Sequence, residues 1–368
     1  MRVAAIGVGG AGGRIVDALT QDDESRSVSY LTGACVLDTD SSDAAALTSV
    51  PEDARHLFGQ VETGGAGTNG DQVQAATIAE DDRTEMRRAA DSAITSDATA
   101  ILLITSLGGG TGSGATPHLA DALREVYEQP IYTVSVLPAA HEEVPSENPA
   151  RALQSLDRVV DAQIVFDNDT WLTRGDSIEE YTDELNQELA VRLGALFSAG
   201  ETTAPESVGQ RVVDASEIIT TLNEGGLATI GYARHTIEDD HESADTSVLD
   251  RVRGLVSSTD TTVDEIEAIN AVETTLRRAA RRELSFDCPL DTATSGLLVV
   301  SGPPDWLHQS AVSDGQQWLS EEIDSVQMRT GDNPRPGSDH LGILVLLSGI
   351  QNTPRIKNLR TTTDSVTD

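Results

Sequence analysis

The sequence predicts an α/β protein with a doubly wound first half, a long central helix and an α+β second half. Three observations predict it. A buried apolar run, Ala100-Ile101-Leu102-Leu103-Ile104, passes into Thr105-Ser106-Leu107-Gly108-Gly109-Gly110-Thr111-Gly112-Ser113-Gly114 and then into helical sequence from Ala115 to Val126. The chain opens in the same way, with a strand from Arg2 to Gly7 feeding another glycine run. Between Ser177 and Ser198 the residues Ile178, Tyr181, Leu185, Leu189, Leu193 and Leu196 recur at helical steps. A helix of that length spans ~30 Å and can join two sheet-containing halves rigidly. The expected division is residues 1–175, the connector 176–200, a second unit 205–350 and a terminal segment 351–368.

In the Rossmann-like first half, Val8-Gly9-Gly10-Ala11-Gly12-Gly13-Arg14 opens a helix through Leu19. Gly7-x-Gly9-x-x-Gly12 suits a dinucleotide as well as a mononucleotide, so this motif alone leaves an NAD(P)-dependent oxidoreductase open. Ala34–Leu37 is a second strand and ends in Asp38-Thr39-Asp40. Gly64-Gly65-Ala66-Gly67-Thr68-Asn69-Gly70 is a third glycine-rich loop ahead of helical sequence. A dinucleotide fold has no use for it, whereas a nucleotide with a γ-phosphate does, because each loop can wrap a different phosphate. Pro130–Leu137 and Ala162–Phe166 are buried strands. The first leads into the acidic loop Pro138–Asn148, with Glu142, Glu143 and Glu147. The second ends in Asp167-Asn168-Asp169-Thr170-Trp171, at the edge where doubly wound sheets hold ligands. The amide of Asn168 can both donate and accept, as a purine edge requires, although loop asparagines also serve turns.

The second half starts after Thr202-Thr203-Ala204-Pro205. Val213–Ile219 begins a helix with Asp214 as its N-cap and Glu217 three residues on, the spacing of a capping box. Strands are expected over Leu227–Arg234, Gly296–Ser301, Ser325–Arg329 and Leu341–Leu347, and helices over Thr262–Arg282 and Gln309–Glu322. His235–Asp250 reads as an exposed acidic loop and Arg360–Asp368 as a mobile polar tail. Arg277, Arg278, Arg281 and Arg282 fall at a helix C-terminus, where the helix dipole favours cations. They read as structural contacts first and a subunit contact second.

The 368 residues carry a formal charge of −36, with carboxylates along almost the whole length and Lys357 as the sole lysine. Scattered acids suit a chain kept hydrated in concentrated salt, where the Debye length falls to about 3 Å at 1 M and self-repulsion is screened. Intrinsic disorder, which high charge also favours, conflicts with the repeated apolar runs. The charge disfavours nucleic acid and anionic lipid as partners. Cys35 and Cys288 lie far apart and form no disulfide or metal pattern. No apolar run approaches the ~20 residues of a membrane span and no signal segment precedes the first strand, so the cytoplasm is the expected compartment.

Glycines between a buried strand and a helix remove the Cβ atoms that keep a ligand from the main chain, and peptide N–H groups then converge on a polyanion. The run lacks the Gly-Lys-Ser/Thr ending of a P-loop. Gly108-Gly109-Gly110-Thr111-Gly112-Ser113-Gly114 resembles the signature of the tubulin/FtsZ superfamily of GTPases. Leu222-Asn223-Glu224-Gly225-Gly226-Leu227-Ala228-Thr229-Ile230-Gly231-Tyr232-Ala233, Val300-Ser301-Gly302-Pro303-Pro304 and Val345-Leu346-Leu347-Ser348-Gly349-Ile350 resemble its CetZ branch, and the likeness runs from Arg2 to about Leu359.

That resemblance implies a tubulin/FtsZ-like fold and a filament-forming GTPase serving cell shape. It implies phosphate contacts at Gly9, Gly10 and Ala11, γ-phosphate contacts at Ala66, Gly67, Thr68 and Asn69, and α/β-phosphate contacts at Gly108, Gly109, Gly110, Thr111, Gly112 and Ser113. Asn168 and Asn186 would read guanine, Glu142 would lie near the ribose, and Asp40 would meet Mg²⁺ through water. Asp214 and Glu217 match the two acids that complete a neighbouring subunit's site. The implied cofactors are GTP or GDP and Mg²⁺. The implied partners are further copies of the chain, head to tail, and an unidentified membrane or cytoskeletal adaptor at the inner face of the envelope. A non-polymerising GTP-binding regulator of the same fold is the alternative. Asp38 stands where the family commonly has Asn, and Pro138–Asn148 matches poorly.

Overall fold

The computed structural model describes residues 1–142, 144, 145, 147–172, 177–201, 213–237, 265–351 and 353–364. Its strands are β1 Val3–Val8, β2 Leu31–Asp38, β3 Arg55–Leu57, β4 Ala100–Ser106, β5 Ile131–Leu137, β6 Ala162–Asp167, β7 Leu227–Thr236, β8 Ser295–Gly302, β9 Met328–Pro334 and β10 His340–Ile350. They form one sheet in the order β3-β2-β1-β4-β5-β6-β7-β10-β8-β9. Pairing is parallel from β3 through to β7, antiparallel on both sides of β10, and parallel again between β8 and β9. Chain order reverses between β1 and β4, which opens a crevice at their carboxyl ends.

Successive strand residues face opposite sides, and the core divides accordingly by sheet face. Ile6, Ile101, Val165, Leu298 and Ile343 share one cluster, packed under helices that include Thr111–Arg124, Glu265–Arg281 and Gln309–Glu322. Ala5, Leu102, Ile164, Leu297 and Leu344 share the other, under helices Gly9–Ser25, Ile178–Phe197 and Ala215–Leu222. Each cluster draws on both halves of the sequence. The two halves of the sheet meet through a short contact, Gln163↔Leu227 and Ile164↔Ala228.

The Ile178–Phe197 connector is anchored by Arg192, whose side chain is fully buried. Its guanidinium ion-pairs with Glu188, lies 3.6 Å from Glu283 and stacks 4.2 Å from the Trp171 ring. Burial pushes its pKa down from the ordinary arginine value, and the two glutamates oppose that. The arginine cluster is largely structural. Arg277 pairs with Glu273, Arg278 donates to the Arg234 carbonyl, and Arg281 reaches Glu322 at 2.8 Å.

Several expectations are corrected. The Ser325–Arg329 strand lies later, at Met328–Pro334, because Asp324 adopts a left-handed turn conformation (φ 48°) and Val326, 97% exposed, belongs to the turn. The helix after the main glycine run begins at Thr111, four residues before Ala115. A helix from Glu147 ends the Pro138–Asn148 loop early. Residues 360–364 of the expected tail belong to the helix Pro354–Asp364. Most of the acidic loop after Thr236, the linker Thr202–Pro205 and residues 365–368 lie outside the described residues.

Candidate nucleotide site

A cleft of about 290 Å³ sits where β1 and β4 end. Three loops line it: Val8–Ala11, Ala66–Gly70 and Gly109–Gly112, together with Arg14, Asp38, Asp40, Asp43 and Ser106. Gly9 has φ 74°, and a Cβ there would lie 2.9 Å from the Gly112 nitrogen, so the first and third loops can close only on glycine. A Cβ on Gly110 would lie 2.8 Å from the Asp71 nitrogen, so the other pair of loops closes for the same reason.

Hydroxyls, a backbone N–H and two side-chain amides lock this packing. Thr111 Oγ1 lies 2.6 Å from Thr39 Oγ1 and 3.4 Å from Thr68 Oγ1. Gly67 N donates to Thr39 O at 3.2 Å, which seats the second loop on the turn after β2. Asn148 Nδ2 donates to Gly70 O at 2.9 Å, Gly108 O at 3.1 Å and Gly109 O at 3.3 Å. Gln72 Nε2 in turn donates to Ser113 O and Asn148 O. Sequence reading missed Asn148. Its signal was a buried polar residue at the start of a helix, which only the pairing of distant loops makes visible.

The cleft is acidic. Burial pushes the Asp38 carboxyl up to about 6, against two backbone N–H bonds from Asp40 and Thr39. Asp40 Oδ1 caps the short helix Ser41–Ala46, accepting from Ser42 Oγ at 2.5 Å, Ser42 N at 2.8 Å and Asp43 N at 3.3 Å, and the Ser42 bonds hold its pKa below the ordinary value. Arg14 pairs with Asp43 at 3.2 Å. Among the described residues no group of three or more Asp, Glu, His or Cys side chains could hold a metal by itself. A hard cation with oxygen ligands would fit only alongside phosphate oxygens. Asp40 Oδ2 lies outside the capping bonds, beside Gly67.

The other expected residues lie elsewhere. Gly108 packs against Pro138 and does not line the cleft. Ser113, expected as a phosphate contact, is 1% exposed, does not line the cleft, and donates its hydroxyl to the carbonyls of Gly109 and Gly110. At the end of β6, Asn168 Nδ2 donates to Glu142 Oε1 at 3.0 Å, and the same oxygen accepts from Ala139 N at 2.6 Å. The structure therefore joins two residues that were singled out separately. β6 lies two strands beyond β4, about 10 Å at ~4.8 Å per strand. Asn186 is half-buried on the connector helix.

Asp214 and Glu217 lie at the opposite pole. Asp214 is exposed and caps the Ala215–Leu222 helix, accepting from Ser216 N at 2.8 Å and Glu217 N at 3.1 Å. Its pKa is held down first by the Ser216 hydroxyl, and the Met1 ammonium contributes. That ammonium donates to Phe197 O at 2.7 Å and Glu201 Oε1 at 3.0 Å, at the start of β1. The glycine cradle begins where β1 ends, six residues or about 20 Å later. Glu217 is half-buried one turn into the same helix.

A parallel sheet with three glycine loops at its switch point, followed by a connector helix and a mixed sheet, defines a tubulin/FtsZ-type protein. Residues 2–175 match the Tubulin/FtsZ family GTPase domain. Residues 175–365 match the C-terminal domain of tubulin-like CetZ, and the chain belongs to the CetZ family. It is 40% identical to tubulin-like protein CetZ5 of Haloferax volcanii over 98% of this chain and 91% of that protein. Family likeness extends to CetZ of Thermococcus kodakarensis, 28% identical over 98% of this chain and 85% of that one. The GDP-bound monomer of Haloferax volcanii CetZ1 superposes with a TM-score of 0.86 at 34% identity, covering all of both chains. The GTPγS-bound protofilament of CetZ2 from the same organism gives 0.85 at 32% identity, covering 100% of this chain and 99% of that one. Among the described residues no helix is long and apolar enough to cross a membrane.

Proposed function

We propose that this chain binds GTP in the switch-point cleft and hydrolyses it when copies assemble head to tail into a cytoplasmic filament that serves cell shape. The observation that carries this is polarity. The glycine loops stand at the carboxyl ends of β1 and β4, whereas Asp214, which caps the helix carrying Glu217, stands near the Met1 ammonium at the other end of β1. With about 20 Å of strand between them, the two acids cannot serve the cleft of their own subunit. Stacking brings one subunit's acids onto the next subunit's loops. The GTPγS-bound protofilament of the CetZ2 relative supports this reading.

In such a contact the loop N–H groups hold the phosphates, and Glu217 accepts a proton from the attacking water and orients it in line with the leaving group. Asp214, fixed by its capping bonds, holds the turn that presents Glu217. When bound with the nucleotide, Mg²⁺ would neutralise β- and γ-phosphate charge, with Asp40 facing its water shell. Three carboxylates against one arginine in the cleft favour such a cation beside a triphosphate. In this reading Asn168 and Glu142 form the base end, and Asn186 would contribute to it from the connector.

The test is GTP turnover against protein concentration in molar KCl, with light scattering in parallel. The specific rate should rise above a threshold concentration. Glu217→Ala should retain GTP binding, lose turnover by about 10²-fold or more, and leave filaments that persist. A rate that does not vary with concentration would refute assembly-dependent hydrolysis.

A further inference from the structure

The C-terminal helix Pro354–Asp364 sends one side chain to the end of β6. Arg355 Nε donates to Asp167 Oδ2 at 2.9 Å, and Nη2 donates to Asp167 Oδ1 at 3.3 Å and to Pro138 O at 2.6 Å. The same Nη2 lies 3.3 Å from Asp169 Oδ2. One guanidinium thereby ties the end of β6 to the start of the loop after β5.

From there the bonds run on to the two base-end residues. Asp169 Oδ1 accepts from Ala140 N at 2.7 Å. Glu142 Oε1 accepts from Ala139 N at 2.6 Å and from Asn168 Nδ2 at 3.0 Å. Glu142 takes one N–H of the Asn168 amide, which fixes the orientation of the side chain and of its acceptor, Oδ1. Guanine offers donors along that edge, an N1–H and a 2-amino group; inosine lacks the amine, and adenine has an acceptor in place of N1–H.

The anchoring pair is shielded. The Asp167 side chain is 5% exposed and that of Arg355 is 22% exposed. Salt that screens exposed pairs over a few ångströms acts weakly on a buried one, so this contact persists in the concentrated salt the composition implies. Burial raises the Asp167 pKa, and the Arg355 charge opposes that rise.

We propose that Arg355 is a positioning residue for base selection: by holding Asp167, Asp169 and Pro138 in one fork, it fixes the Glu142–Asn168 pair so that Asn168 presents an acceptor to guanine. This rests on the reading of Asn168 and Glu142 as the base end. The role belongs to a residue 188 positions along the chain from the Asp167 it binds. A lysine could supply the charge at this position but not the planar fork.

Dissociation constants for GTP, ITP and ATP, measured on the full chain in molar KCl, test it. The ratio of ITP to GTP constants isolates reading of the 2-amino group from phosphate binding. For Arg355→Ala that ratio should fall about tenfold, the loss of one well-placed hydrogen bond, while ITP affinity stays within about twofold. Arg355→Lys should fall between the two. If GTP and ITP weaken together, the effect is general loss of structure and the proposal fails. It also fails if Arg355→Ala keeps the wild-type ratio while Asn168→Ala loses it, an outcome that leaves the base-end reading intact. A wild-type chain that does not prefer GTP over ITP and ATP overturns the base-end reading and the proposal together. Should Arg355→Ala fail to fold, Asp169→Asn replaces it: it weakens one arm of the fork and should lower the ratio several-fold, and an unchanged ratio refutes the proposal.

Discussion

Replacing Asn148 by alanine should release the two glycine loops that close the phosphate end. Its Nδ2 serves three carbonyls, Gly70 O at 2.9 Å, Gly108 O at 3.1 Å and Gly109 O at 3.3 Å, from a residue that is 3% exposed. Two N–H groups make at most two good bonds, and a net bond contributes about 0.5–1.5 kcal/mol. Stranding a buried acceptor costs about 1–3 kcal/mol, and water can reach part of this rim. The expected loss is therefore roughly 2–4 kcal/mol, read as a lower urea midpoint with an unchanged slope in molar KCl. Since Gly109 and Gly110 line the cleft, GTP affinity should fall as well, by about tenfold if some 1.4 kcal/mol of the loss acts on loop position. Asn148→Asp, which turns the donor into a further acceptor facing the three carbonyls, should be worse than alanine. An Asn148→Ala chain that unfolds at the wild-type midpoint and binds GTP normally would refute the claim that this amide sets the loop spacing.

Two further outcomes follow from charge. Asp38, 2% exposed in the cleft wall, opposes a triphosphate whenever it is ionised, so Asp38→Asn should tighten nucleotide binding by about three- to tenfold at neutral pH, measured by titration at fixed KCl. Asp17 accepts N–H bonds from Thr48, Ser49 and Val50 and the Thr48 hydroxyl. Burial raises its pKa, yet these bonds outweigh burial and hold the carboxyl below its ordinary 3.8. Folding therefore favours its ionised form. The stability it adds is complete above the unfolded value and is lost as pH falls through the folded one. The stability gap between wild type and Asp17→Asn should accordingly be constant from pH 7 to about 5 and narrow below 3.8. A gap that does not narrow would show that the bonds do not act through the charge.

The centre of the parallel half was legible because its strands are buried on both faces and read as largely apolar runs, unbroken in Ala100–Ile104 and interrupted only by Thr133 and Ser135 in Ile131–Leu137. The Gln309–Glu322 helix was legible to the residue. β3 escaped notice, since three residues, Arg55–Leu57, carry no periodicity. β9 was displaced because Val326 looks like strand sequence yet sits in a turn that Asp324 imposes. The glycine loops announced a polyanion site, but the hydroxyl roles did not separate. Thr111 lines the cleft, while Ser113, two residues on, is turned into its own helix.

By itself the sequence determined what depends on neighbouring residues: strand, glycine turn and helix in succession, the N-cap at Asp214, the span of the connector, and a surface suited to concentrated salt. Local backbone preference and side-chain periodicity act over a few residues, so they are written in order along the chain. Only the tertiary structure decided which loops meet. Asn148 bridging Gly70 and Gly108, Glu142 holding Asn168, Arg355 reaching Asp167, and the acids standing a strand's length from their own glycine cradle all depend on contacts between distant segments. Such contacts are fixed by how the sheet orders its strands, and no local pattern encodes that order.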